Sequence, residues 1–206
     1  MIAKVSRREV KKYFLLANAG KEFFKKGTHF GIDELQDKYH AKLKEFIDME
    51  EKALDERIRD KIRLGRYNEM DWHTGNVKLK EMGSWPEMKG LPIEFTTGNI
   101  PDVARLIGKF KNGTMSGYGP EKLEKISRCV ERLDSIGRNV NFVRPNFPLI
   151  LFQGGEIREE HNDWARENYR LLCNIFRYDI DDGSERAVSY SLAGLEDAPV
   201  YFGQRA

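Results

Sequence analysis

No stretch of this chain restricts its fold as tightly as Pro148-Leu-Ile-Leu-Phe-Gln153. Successive side chains of a strand point to opposite faces, and here both faces are apolar. A strand of that kind belongs in the middle of a sheet, covered on both sides by other layers. The expected architecture is therefore α+β, with helices packed around a small mixed sheet.

Helical signals stand on either side of it. Ser6-Arg-Arg-Glu9 has the form of a capping box, and Val10, Tyr13, Phe14 and Ala17 follow at helical spacing. A weaker continuation covers 21–26, and Gly27 and Gly31 bracket a loop. Asp33 is placed to cap one long helix over 33–64, with Leu35, Tyr39, Leu43, Phe46, Ile47, Leu54, Ile58 and Ile62 as its apolar stripe. At 1.5 Å per residue it would reach about 48 Å, the spine of the fold or half of a helical pair between subunits.

Residues 65–90 read as irregular, with a short strand over 76–82. Pro92 marks an edge-type strand at 92–97. Asn99 and Pro101 open a helix over 101–111. Pro120 begins another to Ile136, with Leu123, Ile126, Val130, Leu133 and Ile136 inward and Gly137 as its stop. A strand is expected at 140–143 and a helix over 156–177. Strands at 178–180 and 187–192 flank Asp182-Gly183, a hairpin signal. The sum is about five helices in a single domain over 1–206, with a weak sub-boundary at 65–90.

Several function classes are disfavoured. Hydrophobic content of 40%, with 12 Phe, 8 Tyr and 3 Trp, argues against disorder. The longest apolar runs, 14–17 and 147–152, fall far short of the ~20 residues of a membrane span. Charges near the N-terminus occupy the place where a signal peptide needs its apolar stretch, so a cytoplasmic location is expected. Cys129 and Cys173 form neither a metal knuckle nor a redox pair and read as small buried hydrophobes.

His29, His40, His73 and His161 stand apart from one another. The phosphate-loop, dinucleotide and nucleophile-elbow patterns are missing, and no cofactor or metal is expected. Asp179-Ile-Asp-Asp-Gly-Ser-Glu185 fails the register of a calcium loop and reads as a turn. The acidic run from Glu156 to Asp163 places Glu156 beside Glu160, with His161 adjacent. Paired carboxylates can serve acid–base chemistry, although acids also favour a helix start.

Charge carries more information. The chain holds 35 basic and 33 acidic residues, but they are segregated. Segments 1–30 and 103–144 carry +6 and +5, whereas 31–102 and 145–206 carry −4 and −5. Two readings follow: a basic face for a polyanion, or segments that pack together and neutralise one another. All 18 lysines lie at or before Lys125, and the ten basic residues after it are arginines. Arginine forms bidentate and stacked contacts, which suits partly buried ion pairs or an interface.

Within the second basic segment, Gly113-Thr-Met-Ser-Gly-Tyr-Gly119 precedes a helix start. Lys109, Lys111, Lys122, Lys125 and Arg128 flank it, with Arg105 farther off. Gly117 and Gly119 free backbone N–H groups to meet a phosphate oxygen, the lysines neutralise its neighbours, and Tyr118 is placed to stack on a base. Gly117-Tyr-Gly119-Pro-Glu-Lys-Leu-Glu-Lys-Ile126 resembles the second half of a helix-hairpin-helix motif, over about 25 residues. Ser116 stands where proline is common, and Leu123 where a small residue usually packs. That resemblance implies a grip on a nucleic-acid backbone without sequence reading.

The expected function is thus an accessory protein that binds a DNA or RNA backbone through 1–30 and 103–144. Two alternatives stand beside it. One is a structural or interaction protein, such as an assembly or virion-type component, oligomerising through the 33–64 helix and the arginine-only C-terminal part. The other is an enzyme using Glu156, Glu160 and His161.

Overall fold

The computed structural model describes residues 2–20, 32–84, 88, 91–96, 98–153 and 176–205. Its strands are β1 (Ala3–Val5), β2 (Met70–Lys78), β3 (Met82–Gly83), β4 (Leu149–Gln153), β5 (Tyr178–Asp182) and β6 (Asp197–Arg205). They form one mixed sheet in the order β1-β2-β6-β4-β5-β3. β2 runs antiparallel to β1 and β6; β4 is parallel to β6 and antiparallel to β5; β3 is parallel to β5. β4, the doubly apolar stretch, has a partner on each side, as its composition requires.

Nine α-helices lie among the described residues, where about five were expected. They are α1 (Arg7–Gly20), α2 (Ile32–Ile47), α3 (Glu51–Arg57), α4 (Lys61–Glu69), α5 (Ile93–Thr96), α6 (Ile100–Lys111), α7 (Pro120–Arg138), α8 (Val140–Asn146) and α9 (Ser184–Leu192).

The single helix expected over 33–64 is broken twice. Arg8 of α1 donates to the carbonyls of Met49, at 2.8 Å, and Ile47, at 2.6 Å, and so closes the end of α2 from outside. Ile58 leaves α3 in an extended conformation that buries its side chain to 1% exposure. Asp60 then caps α4, its carboxylate accepting the N–H of Arg63 at 2.9 Å. Most of the apolar stripe is engaged inside this chain's own core: Leu35, Tyr39, Phe46, Leu54 and Ile58 are all buried, while Ile47 and Ile62 are exposed.

Other local expectations are corrected as well. The chain at 93–96 is a helical turn, begun where the carbonyl of Pro92 accepts the N–H of Phe95 at 2.9 Å. Residues 140–143 open α8, whose Phe142 and Val143 face the core. Gly183 is left-handed, with φ of 107°, but it leads into α9 and not back as a hairpin. Residues 187–192 are therefore helix, and the next strand is β6. The strand read at 76–82 begins earlier, at Met70, and ends at Lys78; Leu79–Glu81 form a 3-10 turn before β3. The expected helix at 156–177, the helical continuation over 21–26, the loop between Gly27 and Gly31, and Cys173 fall largely or wholly outside the described residues.

Alternation along β4 assigns the two faces. Leu149 and Leu151 join the larger core, which includes α6 to α9 and the inner faces of α2 and α3. Ile150 and Phe152 join a smaller one with Val10 and Phe14 of α1, Tyr67 of α4, and Trp72. Trp72 is 1% exposed, lies 5.2 Å from the Tyr67 ring, and donates its indole N–H to the Tyr67 carbonyl at 2.9 Å. The sheet is thus sandwiched, as β4 demands. No described helix is long and apolar enough to cross a membrane.

Candidate nucleic-acid interface

The hairpin between α6 and α7 is built by glycines at defined points. Helix α6 ends in a Schellman arrangement: Gly113, with φ of 69°, donates to Phe110, and Thr114 donates to Lys109, both at 3.0 Å. Gly117, with φ of 98°, makes a second left-handed turn in open space. A side chain there would be strained by backbone conformation, not by crowding. Gly119 is the N-cap of α7 and supplies no side-chain acceptor, while Pro120 fits the first helical turn. The N–H groups of that turn are left without a side-chain cap.

Tyr118 anchors the loop. Its ring packs 6.0 Å from Phe95, and the Nζ of Lys122 lies 5.8 Å over its face. Burial, and then a hydrogen bond to the Glu94 carboxylate, raise its phenol above the usual range. The ring is half-buried against the larger core and is not held out for stacking. Glu94 lies far from the loop in sequence, so this contact had no local signal.

The cations do not converge on one nest. Lys122, Lys125 and Arg128 follow one another at three-residue steps and form a continuous stripe along α7, each about 60° from the last. Lys125 pairs with Glu121 at 2.7 Å, and Arg128 pairs with Glu124. The bond from Lys125 holds the carboxyl of Glu121 below its usual range. Lys111 instead bonds Asp134 at 2.7 Å. Asp134 lies about two and a half turns beyond Lys125, on the opposite flank of α7. Lys109 is exposed on α6, and Arg105 pairs with Asp102 at 3.2 Å.

In the other basic segment, the described cations of α1 are bonded within the fold. Arg7 donates to the carbonyl of Asn68 at 2.6 Å, and Arg8 closes α2 as described. Lys11 has no exposed surface and sits 2.6 Å from both Glu51 and Asp55. Lys12 is nearly buried beside Glu9, at 2.6 Å. Of the described cations of α1, Lys11 thus neutralises acids of the segment that follows, Arg7 and Arg8 bond its carbonyls, and Lys12 pairs within the helix.

Four of the described later arginines are also paired. Arg132 meets Glu185 at 2.7 Å and Arg177 meets Glu81 at 3.6 Å, while Arg144 meets Asp197 and Arg186 meets Asp182. A further cluster escaped the sequence reading. On the smaller-core face, Arg63 and the Tyr67 hydroxyl both reach Asp181, at 2.9 and 2.8 Å. Arg66 lies 3.7 Å from the same carboxylate and stacks 3.9 Å from the centre of the Phe152 ring. The only sequence trace of this cluster was the run of aspartates in β5, which read as a turn.

Glu156, Glu160 and His161 lie outside the described residues. Among the described residues, no group of three or more histidines, cysteines or carboxylates could hold a metal ion. No protein-family model, curated protein or solved structure matches this chain.

Proposed function

We propose that this protein is an accessory factor that binds a DNA or RNA backbone without reading sequence, through the start of α7. The observation that carries the reading is a helix end standing clear of the body. Every residue from Gly119 to Lys125 is exposed, and Lys122, Lys125 and Arg128 run down one flank. Free N–H groups of the first turn can meet one phosphate oxygen, and the three cations its neighbours. Their i,i+4 carboxylate partners are exposed, and exposed pairs of this kind hold weakly enough to yield to a phosphate. The described residues of 1–30 take no part, since their cations are engaged within the fold.

A second reading is favoured by Leu123. It is 38% exposed on the same projecting helix end, between residues of both charge signs. An apolar side chain in that setting suits a protein partner or a second copy of this chain. Size-exclusion chromatography with light scattering separates the two, run at low and high salt with and without an oligonucleotide. Nucleic-acid binding predicts a monomer alone and a complex that dissolves as salt rises. A dimer that forms without the oligonucleotide and survives high salt would contradict it and support the second reading.

A further inference from the structure

We infer that this protein holds a small monovalent anion, a halide or a carboxylate, at the corner where α8, α9 and β6 meet, with the Tyr190 hydroxyl and the Nε–H of Arg144 as its donors. Buried donors are nearly always paired, because an unmade hydrogen bond in the interior leaves the lost hydration uncompensated. Among the described residues these two are exceptions: Tyr190 Oη and Arg144 Nε are both buried, and neither has a hydrogen-bond partner. Tyr190 has no exposed surface at all.

The chain brings the two groups to one corner. Arg186 and Tyr190 stand one turn apart on the buried face of α9. Arg186 donates to the carbonyls of Phe147, at 2.9 Å, and Pro148, at 3.3 Å, which fixes that face against the end of α8. Arg144 lies in the last turn of α8, just before those carbonyls, and pairs with Asp197 at the start of β6. Leu195, shortly before Asp197, donates to the Tyr190 carbonyl at 3.0 Å. The Arg144 and Asp197 side chains are partly exposed, so the corner meets solvent on their side.

Charge selects the ligand. A guanidinium N–H can only donate, so whatever serves it must accept. Burial raises the Tyr190 phenol, and Arg186 and Arg144 oppose that rise, so both cations act on its hydroxyl and favour negative charge beside it. Each of the two guanidinium groups already has a carboxylate, Asp182 and Asp197. With the cations so matched, one added negative charge is tolerated, whereas a doubly charged oxyanion would be buried without its counter-charge.

Chlorine NMR of chloride buffer with the full chain tests this. The line is expected to broaden on adding protein. Formate should reverse the broadening, and sulfate at the same ionic strength should not. Tyr190→Phe keeps the ring and removes the hydroxyl. It is expected to weaken chloride binding by about tenfold to a hundredfold, the range for a lost hydrogen bond to a charged group. Arg144→Lys keeps the charge beside Asp197 and removes the Nε–H, with the same result expected; at a partly exposed position, it carries the test if Tyr190→Phe does not fold. An unbroadened line means that water serves these donors, and it overturns the inference. So does broadening that either folded variant keeps at wild-type strength, or that sulfate reverses as well as formate does.

Discussion

Asp181 has no exposed side-chain surface, and Arg63, Arg66 and the Tyr67 hydroxyl gather around its carboxylate. A buried carboxylate is tolerated only when charge and hydrogen bonds replace the water it loses. Here α4 delivers all three partners to β5 and closes the smaller core over Trp72. Asp181→Asn removes the charge and leaves two partly buried guanidinium groups facing a neutral amide. The expected loss is about 3 kcal/mol in urea unfolding, with α4 the first element to lose hydrogen-exchange protection. Wild-type stability in this variant would mean that Arg63 and Arg66 are held by other contacts.

At the scale of elements, the strongest local signals are kept. The doubly apolar 148–153 stretch forms β4, and Asn99 caps α6 by accepting the N–H of Asp102 at 3.0 Å. Pro120 starts α7 where expected. The misread elements share one cause, which is that distant contacts decided them. The long apolar stripe over 33–64 carries no local mark of its first break, because that break is closed by Arg8, some forty residues upstream. The β-branched residues at 140–143 become helix because Phe142 and Val143 must reach the core from one side, and packing overrides propensity.

One break does carry a local signature. Asp60 precedes Lys61-Ile-Arg63 as an N-cap acceptor. Asp60→Ala is expected to cost about 0.5–2 kcal/mol and to loosen α4, read by thermal melting and helical circular dichroism. An unchanged melt would show that α4 is set by its burial alone.

Across the whole molecule, the segregated charge of the sequence resolves in two ways. Among the described residues, Arg7, Arg8 and Lys11 of α1 bond the segment after them, and Arg132, Arg144 and Arg186 pair with acids in their own half. The α7 stripe remains toward solvent. Its flanking glycines and cations were readable from sequence. The separation of Lys111 from Lys125 was not, because the register of α6 on α7 is a tertiary fact.

A pH limit follows from the core. Tyr39, Tyr67, Tyr190 and Tyr201 are buried phenols, all raised above the usual tyrosine range, chiefly by loss of water. Tyr190 is pushed up to about 12 from 10.0. A folded value above the unfolded one gives stability that is complete below pH 10 and lost as pH rises through 12. Tyr190 alone accounts for something on the order of 3 kcal/mol across that window. Urea midpoints should therefore hold from neutral pH to about 9 and then fall steeply. A flat midpoint through the tyrosine range would contradict burial of these rings.

The division between inward and outward cations is tested most directly by one comparison of duplex affinity at low salt, wild type against Lys122→Glu with Lys125→Glu. Both residues are exposed, so the double variant is expected to melt like the wild type. Binding is expected to fall by at least about a hundredfold, because two of three phosphate contacts become repulsive. Duplex binding retained at wild-type affinity in a folded double variant would contradict the assignment of α7 as the binding surface.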